Sequence, residues 1–93
     1  MPLYCYVGHD GADGAARRPE ARPRHVDHLA HLDVRFAGPL LDDEGRPRGS
    51  LIVFEAAGFD EARRIAHADP YLALGVFDRV DVYATQQVLP APA

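Results

Sequence analysis

The chain has 93 residues, a hydrophobic content of 47% and a formal net charge of −4 at neutral pH. This length suits one domain, and this apolar content excludes a disordered chain. The negative charge argues against general nucleic-acid binding, in which a basic face neutralises phosphates. We therefore expect a single domain over residues 1–93, with its core at about residues 3–84 and a proline-rich tail at residues 89–93.

The N-terminus and the cysteine content indicate a cellular compartment. Cys5 is the only cysteine, so no disulfide can form within the chain, and this favours a reducing environment. The first residues lack the basic and apolar regions of a signal peptide, and no apolar run approaches the roughly 20 residues that span a bilayer. We expect a cytoplasmic protein that binds no membrane. Cys5 falls in a predicted strand, where it is expected to be a small buried hydrophobic residue rather than a nucleophile.

The first half of the chain predicts a strand, a loop, a helix and a second strand. The apolar run Leu3–Val7 is typical of a buried strand, and the glycine-rich residues 8–20 indicate a loop with at most one helical turn. Pro23 suits the first turn of a helix, because its missing N–H has no partner there. The inward side chains of this helix are predicted to be Val26, Leu29 and Leu32. A strand follows at Val34–Leu41, and Pro39 within it predicts a sheet edge or a bulge.

The second half of the chain predicts two more strands and a second helix. The polar residues 42–49 indicate a loop, and the strands are predicted at Ser50–Glu55 and Phe77–Thr85. The helix is predicted at Gly58–His67, with Asp60 as its candidate cap. Its apolar stripe consists of Ala62, Ile65 and Ala66. Asp69 ends this helix, since a residue that precedes proline avoids the helical region.

The predicted order β-α-β-β-α-β indicates a ferredoxin-like α+β fold. In this fold two helices cover one face of a four-stranded antiparallel sheet. The other face would expose apolar side chains unless a partner covered it. A small domain without disulfides or metals also gains stability from oligomerisation. We therefore expect a homodimer that pairs two such sheets, with higher oligomers left open.

Four short motifs, in this order along the chain, resemble the YciI-like family of small dimeric α+β-barrel proteins. The motifs are Arg22-Pro23-Arg24-His25, Ala37-Gly38-Pro39, Gly49-Ser50 and Ala68-Asp69-Pro70-Tyr71. The resemblance covers about residues 3–84. Between His25 and Gly38 the chain is about one helical turn shorter than is usual in the family. Loss of one turn nearly preserves helical phase, so His25 is still expected to face the pocket.

The resemblance implies a ferredoxin-like dimer with an active site at a His–Asp pair, which falls on His25 and Asp69. The remaining pocket residues implied in the same way are Arg18, Arg22, Ser50 and Tyr71. The pair also makes chemical sense. A carboxylate partner fixes the tautomer of a histidine and supports its imidazolium form, which suits a general base near neutral pH.

An arginine cluster precedes the predicted first helix. It consists of Arg17, Arg18, Arg22 and Arg24, with Glu20 as the only opposing charge. One interpretation is a solvated segment. The other is an anchor for an anionic ligand, because the guanidinium fork matches carboxylates and phosphates.

The sequence predicts neither a metal nor a cofactor. His25 and His31 diverge on the helical wheel, and no carboxylate or cysteine lies at a known metal-binding spacing from His28 or His9. A phosphate-binding loop, a dinucleotide fingerprint and a nucleophile elbow are all missing from the sequence.

The sequence leaves three functions open. The leading hypothesis is a cofactor-free enzyme that moves protons on a small anionic organic substrate, as an isomerase, lyase or dehalogenase, with His25 as the acid–base group and Asp69 as its orienting partner. The alternative is a non-catalytic module that binds or senses a small metabolite in the same cleft. The third is an interaction domain that acts through its dimer surface. An accessible His25 that is hydrogen-bonded to Asp69 would favour the first.

Overall fold

A computed structural model describes residues 1–92 of the chain. Its elements are β1 (Leu3–Asp10), α1 (Gly14–Ala30), β2 (Asp33–Leu41), β3 (Pro47–Glu55), α2 (Phe59–His67), α3 (Pro70–Ala73) and β4 (Phe77–Thr85). The strands form one sheet in the order β2-β3-β1-β4, and every neighbouring pair is antiparallel. The helices lie on one face of this sheet. The predicted ferredoxin-like α+β fold is therefore confirmed. Within residues 1–92 no helix combines the length and the apolar character needed to cross a bilayer.

The first helix is longer than the sequence indicated. It begins at Gly14, so the prediction of a loop with a single helical turn over residues 8–20 and of a helix start near Pro23 was wrong. Pro19 and Pro23 both lie inside the helix, four residues apart and exposed. Each proline removes one backbone hydrogen bond, at a cost of roughly 3 kcal/mol in a helix interior. Both prolines are exposed, and α1 is held in place by its contact with α3.

The inward face of α1 also differs from the predicted one. Val26 was expected to be buried, but it is 50% exposed. The helix instead buries Ala21 and His25, and Leu29 packs partly against the core. The spacing of apolar residues alone predicts Val26, and not His25, as the residue that faces the core. His25 faces inward because it has a buried hydrogen-bond partner, Asp69, and α1 therefore places an imidazole in the interior.

Two apolar clusters lie between the sheet and the helices. The larger one consists of Tyr4, Tyr6, Ile52, Phe54, Ala56, Ala62 and Ala66. Ile65 packs against this cluster, so the predicted apolar stripe of α2 is confirmed. The smaller cluster joins α1, α3 and β4 and consists of Ala21, Tyr71, Val76 and Phe77. The candidate site lies beside this smaller cluster.

Several element ends differ from those predicted. β3 begins at Pro47, which pairs with Leu41, so the predicted loop is shorter at its C-terminal end. Asp60 does not cap α2, because the N-cap is Gly58 and Asp60 lies inside the first turn. Pro39 lies in β2, an edge strand with two register shifts, which agrees with the prediction for a proline in a strand.

The turn after α2 contains a short helix that the sequence did not predict. Asp69 follows the end of α2, as expected, and its side chain also caps α3 by accepting a hydrogen bond from the Tyr71 backbone N–H at 2.9 Å. Pro70 occupies the first position of α3, where a proline costs nothing. Gly75 then adopts a positive φ of 79° that returns the chain to the sheet. This turn places Asp69 beneath α1.

The sheet face opposite the helices, here called the open face, carries apolar side chains. The pairs Cys5–Val53, Cys5–Tyr83 and Phe36–Val53 lie on it. Phe36 and Tyr83 are more than half exposed. Cys5 is only half-buried there, so the expectation of a buried cysteine is met in part, and burial raises the pKa of its thiol. None of the helices in the described part of the chain covers this face.

Candidate functional site

The structure brings His25 and Asp69 together. His25 Nδ1 lies 2.8 Å from Asp69 Oδ1, and this contact joins the middle of α1 to the turn between α2 and α3. Asp69 is completely buried, and His25 is 8% exposed. The pair predicted from the sequence motifs is therefore formed in the fold.

The Asp69 carboxylate accepts three hydrogen bonds. His25 Nδ1 and the Tyr71 backbone N–H reach Oδ1, and the Tyr6 hydroxyl donates to Oδ2 at 2.7 Å. Burial is the largest single effect on the pKa of Asp69 and raises it, but the hydrogen bonds, that of His25 first among them, outweigh burial and lower the pKa below its ordinary value. The carboxylate is therefore ionised at neutral pH. Since an ionised carboxylate can only accept, the proton of a neutral His25 ring lies on Nδ1, and Nε2 carries the lone pair.

Tyr6 is a site residue that the sequence analysis missed. It lies in β1, where a buried aromatic is expected to be ordinary core, and it is fully buried. Burial and the charge of Asp69 raise the pKa of the Tyr6 hydroxyl, which stays protonated and donates. The sequence provided only a general indication of this role. A buried tyrosine hydroxyl needs a hydrogen-bond partner, and β1 itself provides none.

Tyr71 holds the imidazole ring by stacking. The rings of His25 and Tyr71 are parallel within 3°, with centroids 3.8 Å apart. The Tyr71 ring also meets Phe77 edge-to-face at 5.3 Å. Contact from these directions, with the hydrogen bond to Asp69, leaves the imidazole with one orientation.

Arg18 is bound by a partner that the sequence analysis also missed. Its Nε and Nη2 atoms each donate to the Asp10 carboxylate at 2.7 Å, in a bidentate pair that is largely buried. Nη2 also donates to the Gly49 carbonyl at 2.9 Å and lies 3.3 Å from Ser50 Oγ. The hydrogen bond to Asp10 raises the pKa of Arg18. The positive charge of Arg18 is therefore already paired within the protein.

A cleft of about 610 Å³ lies beside α1. Its polar lining consists of Arg18, Arg22, His25, Ser50 and Tyr71, and its apolar walls include Pro19, Val26, Leu29, Ala37, Pro39 and Pro47. Every site residue predicted from the sequence thus lines this cleft, except Asp69, which lies behind His25. Arg22 is exposed and forms no ion pair among residues 1–92.

The other grooves and histidines form no comparable site. A larger groove of about 870 Å³ near the N-terminus has no His, Cys, Asp or Glu in its lining. His9 pairs with Asp81 on the open face at 3.0 Å, and His28 and His31 line a separate groove. Within the described residues no three His, Cys, Asp or Glu side chains are placed to hold one metal ion.

Solved structures of similar fold include two enzymes. The 5-chloro-2-hydroxyhydroquinone dehydrochlorinase TftG of Burkholderia phenoliruptrix AC1100, solved in complex with 2,5-dihydroxybenzoquinone, has a TM-score of 0.79 and 23% identity, over 90% of this chain and 93% of that chain. The cofactor-independent oxygenase SnoaB of Streptomyces nogalater has a TM-score of 0.61 and 14% identity, over 97% of this chain and 99% of that chain. These similarities establish a shared fold.

Sequence comparison gives a closer relationship. Two relatives are each 33% identical to this chain in alignments 96 positions long, which cover 92% of this chain and 98% of the relative. They are Protein YciI of Escherichia coli O6:H1 (strain CFT073) and Protein YciI of Shigella flexneri. The family model for the YCII-related domain matches residues 2–86. The resemblance seen in the four motifs is thereby confirmed, and the chain belongs to the YCII-related domain family.

Proposed function

We propose that the chain is a cofactor-free enzyme in which His25 transfers protons on a small anionic organic substrate bound in the cleft. One observation carries this proposal: Asp69 binds Nδ1 and leaves Nε2 as the reactive nitrogen. His25 Nε2 has no hydrogen-bond partner among residues 1–92, and protein atoms do not enclose it. Since His25 lines the cleft, Nε2 is the atom that a substrate meets.

The arrangement suits reversible proton abstraction. Nε2 takes a proton from a substrate carbon or hydroxyl, and the electron pair moves into the substrate, towards an oxygen. The ionised Asp69 stabilises the imidazolium that forms. Return of the proton at another atom gives isomerisation, and departure of a leaving group with the electron pair gives elimination.

The cleft walls indicate the kind of substrate. Proline, alanine, valine and leucine side chains form an apolar surface that suits an organic ring. Arg22 supplies an unpaired positive charge for an anionic group, whereas the charge of Arg18 is bound to Asp10. The dehydrochlorinase of similar fold acts on a hydroxylated, chlorinated ring, and this likeness supports a phenolic substrate by analogy of fold.

We further propose that a second copy of the chain covers the open face. This face is apolar along its central strands, and Phe36 and Tyr83 on its outer strands are more than half exposed. Two such faces packed together would bury these side chains in a two-fold interface. The proposed partners are therefore a second copy and a small anionic molecule.

The catalytic proposal is tested by His25→Gln and Asp69→Asn. Because general acid–base catalysis contributes about 10²- to 10⁴-fold, His25→Gln should lower kcat/KM by this factor, and Asp69→Asn by about 10²-fold. The assay follows release of chloride from 5-chloro-2-hydroxyhydroquinone and exchange of substrate protons in D₂O across a panel of phenols and hydroxy acids. His31→Gln, an exposed histidine of the same region outside the cleft, is the control and should retain full activity. Binding without turnover or exchange in the wild type would favour a metabolite-binding module instead.

The two arginines have different roles, so Arg22→Gln should weaken ligand binding, whereas Arg18→Gln should lower stability. Arg22→Gln should weaken binding of 2,5-dihydroxybenzoquinone by about 10- to 100-fold, as expected for loss of a charged hydrogen bond, with an unchanged Tm. Arg18→Gln leaves the buried Asp10 carboxylate unpaired. This unpaired carboxylate should lower the free energy of unfolding by about 3 kcal/mol, which should lower the Tm by roughly 12 °C or more. Calorimetric titration and thermal unfolding measure the two effects, and a stable Arg18→Gln protein would contradict the assignment.

The dimer proposal is tested by light scattering after gel filtration. The wild type should elute with a mass of about 20 kDa, twice the chain mass of 10.2 kDa. The double variant Phe36→Glu/Tyr83→Glu should elute as a folded monomer, because both side chains are exposed in the single chain. The control is Val88→Glu, which changes an exposed residue between β4 and the proline-rich tail and should leave the protein dimeric. A monomeric wild type would refute the proposed interface.

A further inference from the structure

The hydroxyl group of Tyr71 donates no hydrogen bond to another residue within residues 1–92. The ring of Tyr71 contacts His25 and Phe77, and its backbone N–H binds Asp69. The hydroxyl oxygen can accept from the guanidinium of Arg18, but a guanidinium cannot accept in return, so the hydroxyl proton stays free, and protein atoms do not enclose the hydroxyl. Buried tyrosine hydroxyls usually find a partner, as that of Tyr6 does in this same site. Because Tyr71 lines the cleft, its hydroxyl is available there to a ligand.

Two guanidinium groups act on the Tyr71 side chain. Arg18 Cζ lies 5.1 Å from the centroid of the Tyr71 ring, and the guanidinium of Arg18 can only donate to the hydroxyl oxygen. Arg22 lines the same cleft and also acts on the hydroxyl electrostatically. Burial is the largest cause of the raised pKa of Tyr71. Arg18 and Arg22 lower this pKa, but the carboxylates of Asp69 and Asp10 raise it further. The hydroxyl is therefore a protonated hydrogen-bond donor at neutral pH.

We infer that the Tyr71 hydroxyl donates a hydrogen bond to an ionised oxygen of the substrate, beside the unpaired guanidinium of Arg22. This inference rests on the proposed function and makes its substrate class more specific. The substrate carries an ionised oxygen on or next to its ring, as in a phenolate, an enolate or a ring carboxylate. Tyr71 then has two separable functions: its ring orients His25, and its hydroxyl selects the ionised oxygen.

Tyr71→Phe separates these functions, because it keeps the ring and removes only the hydroxyl. The probes are 2,5-dihydroxybenzoquinone, whose hydroxyls ionise in neutral solution, and 2,5-dimethoxybenzoquinone, which stays neutral. We expect Tyr71→Phe to bind the dihydroxy probe about 10- to 100-fold more weakly in calorimetric titration. Binding of the dimethoxy probe and the Tm should stay as in the wild type. Tyr4→Phe, a buried tyrosine outside the cleft, is the matched control and should change neither affinity.

The outcomes distinguish this inference from the proposed function. A wild type that binds the dihydroxy probe, with an equal affinity in Tyr71→Phe, would overturn only the role of the hydroxyl. An equal loss of affinity for both probes would assign Tyr71 a purely structural role and would also overturn it. A wild type that binds neither probe would refute the substrate class, and the proposed function and this inference would fail together.

Discussion

The arrangement of the site depends on the buried carboxylate of Asp69. An ionised carboxylate in a protein interior is costly unless hydrogen bonds compensate it, and three donors do so here. They come from β1, α1 and α3, so one side chain ties the sheet to two of the helices. Because these bonds lower its pKa, Asp69 contributes stability that is complete above the pKa of the unfolded chain and is lost as the pH falls through the lower, folded value.

A second ion pair, between Asp10 and Arg18, neutralises one of the two arginine charges in the cleft. Asp10 at the end of β1 holds Arg18 in α1, and this pair anchors the proline-containing helix to the sheet. Arg18 also contacts Ser50 and the Tyr71 ring, so its position shapes the cleft wall. Arg22 remains as the exposed cation. A cleft with two arginines in its lining therefore offers one unpaired charge, and this limits the ligands that match it.

The sequence predicted the fold and the central pair well, and the supporting residues less well. His25 and Asp69 lie in local motifs, and alternation of apolar residues predicted the strands. Tyr6 and Asp10 could not be identified, because their partners lie 63 and 8 residues away along the chain and meet them only in the folded structure. The start of α1 was missed for a related reason. Local proline preference opposes a helix there, and only tertiary contacts with the sheet and α3 overcome it.

Asp69 fixes His25 as the tautomer protonated at Nδ1, with Nε2 free to react. Two-bond ¹H–¹⁵N NMR correlations of the histidine rings test it directly, since they distinguish protonated from unprotonated ring nitrogens. The wild type should show His25 with a protonated Nδ1 and an unprotonated Nε2, and Asp69→Asn should shift the ring towards the ordinary Nε2-protonated form, while His31 stays unchanged. A wild-type His25 protonated at Nε2, or a tautomer that does not respond to Asp69→Asn, would contradict the account.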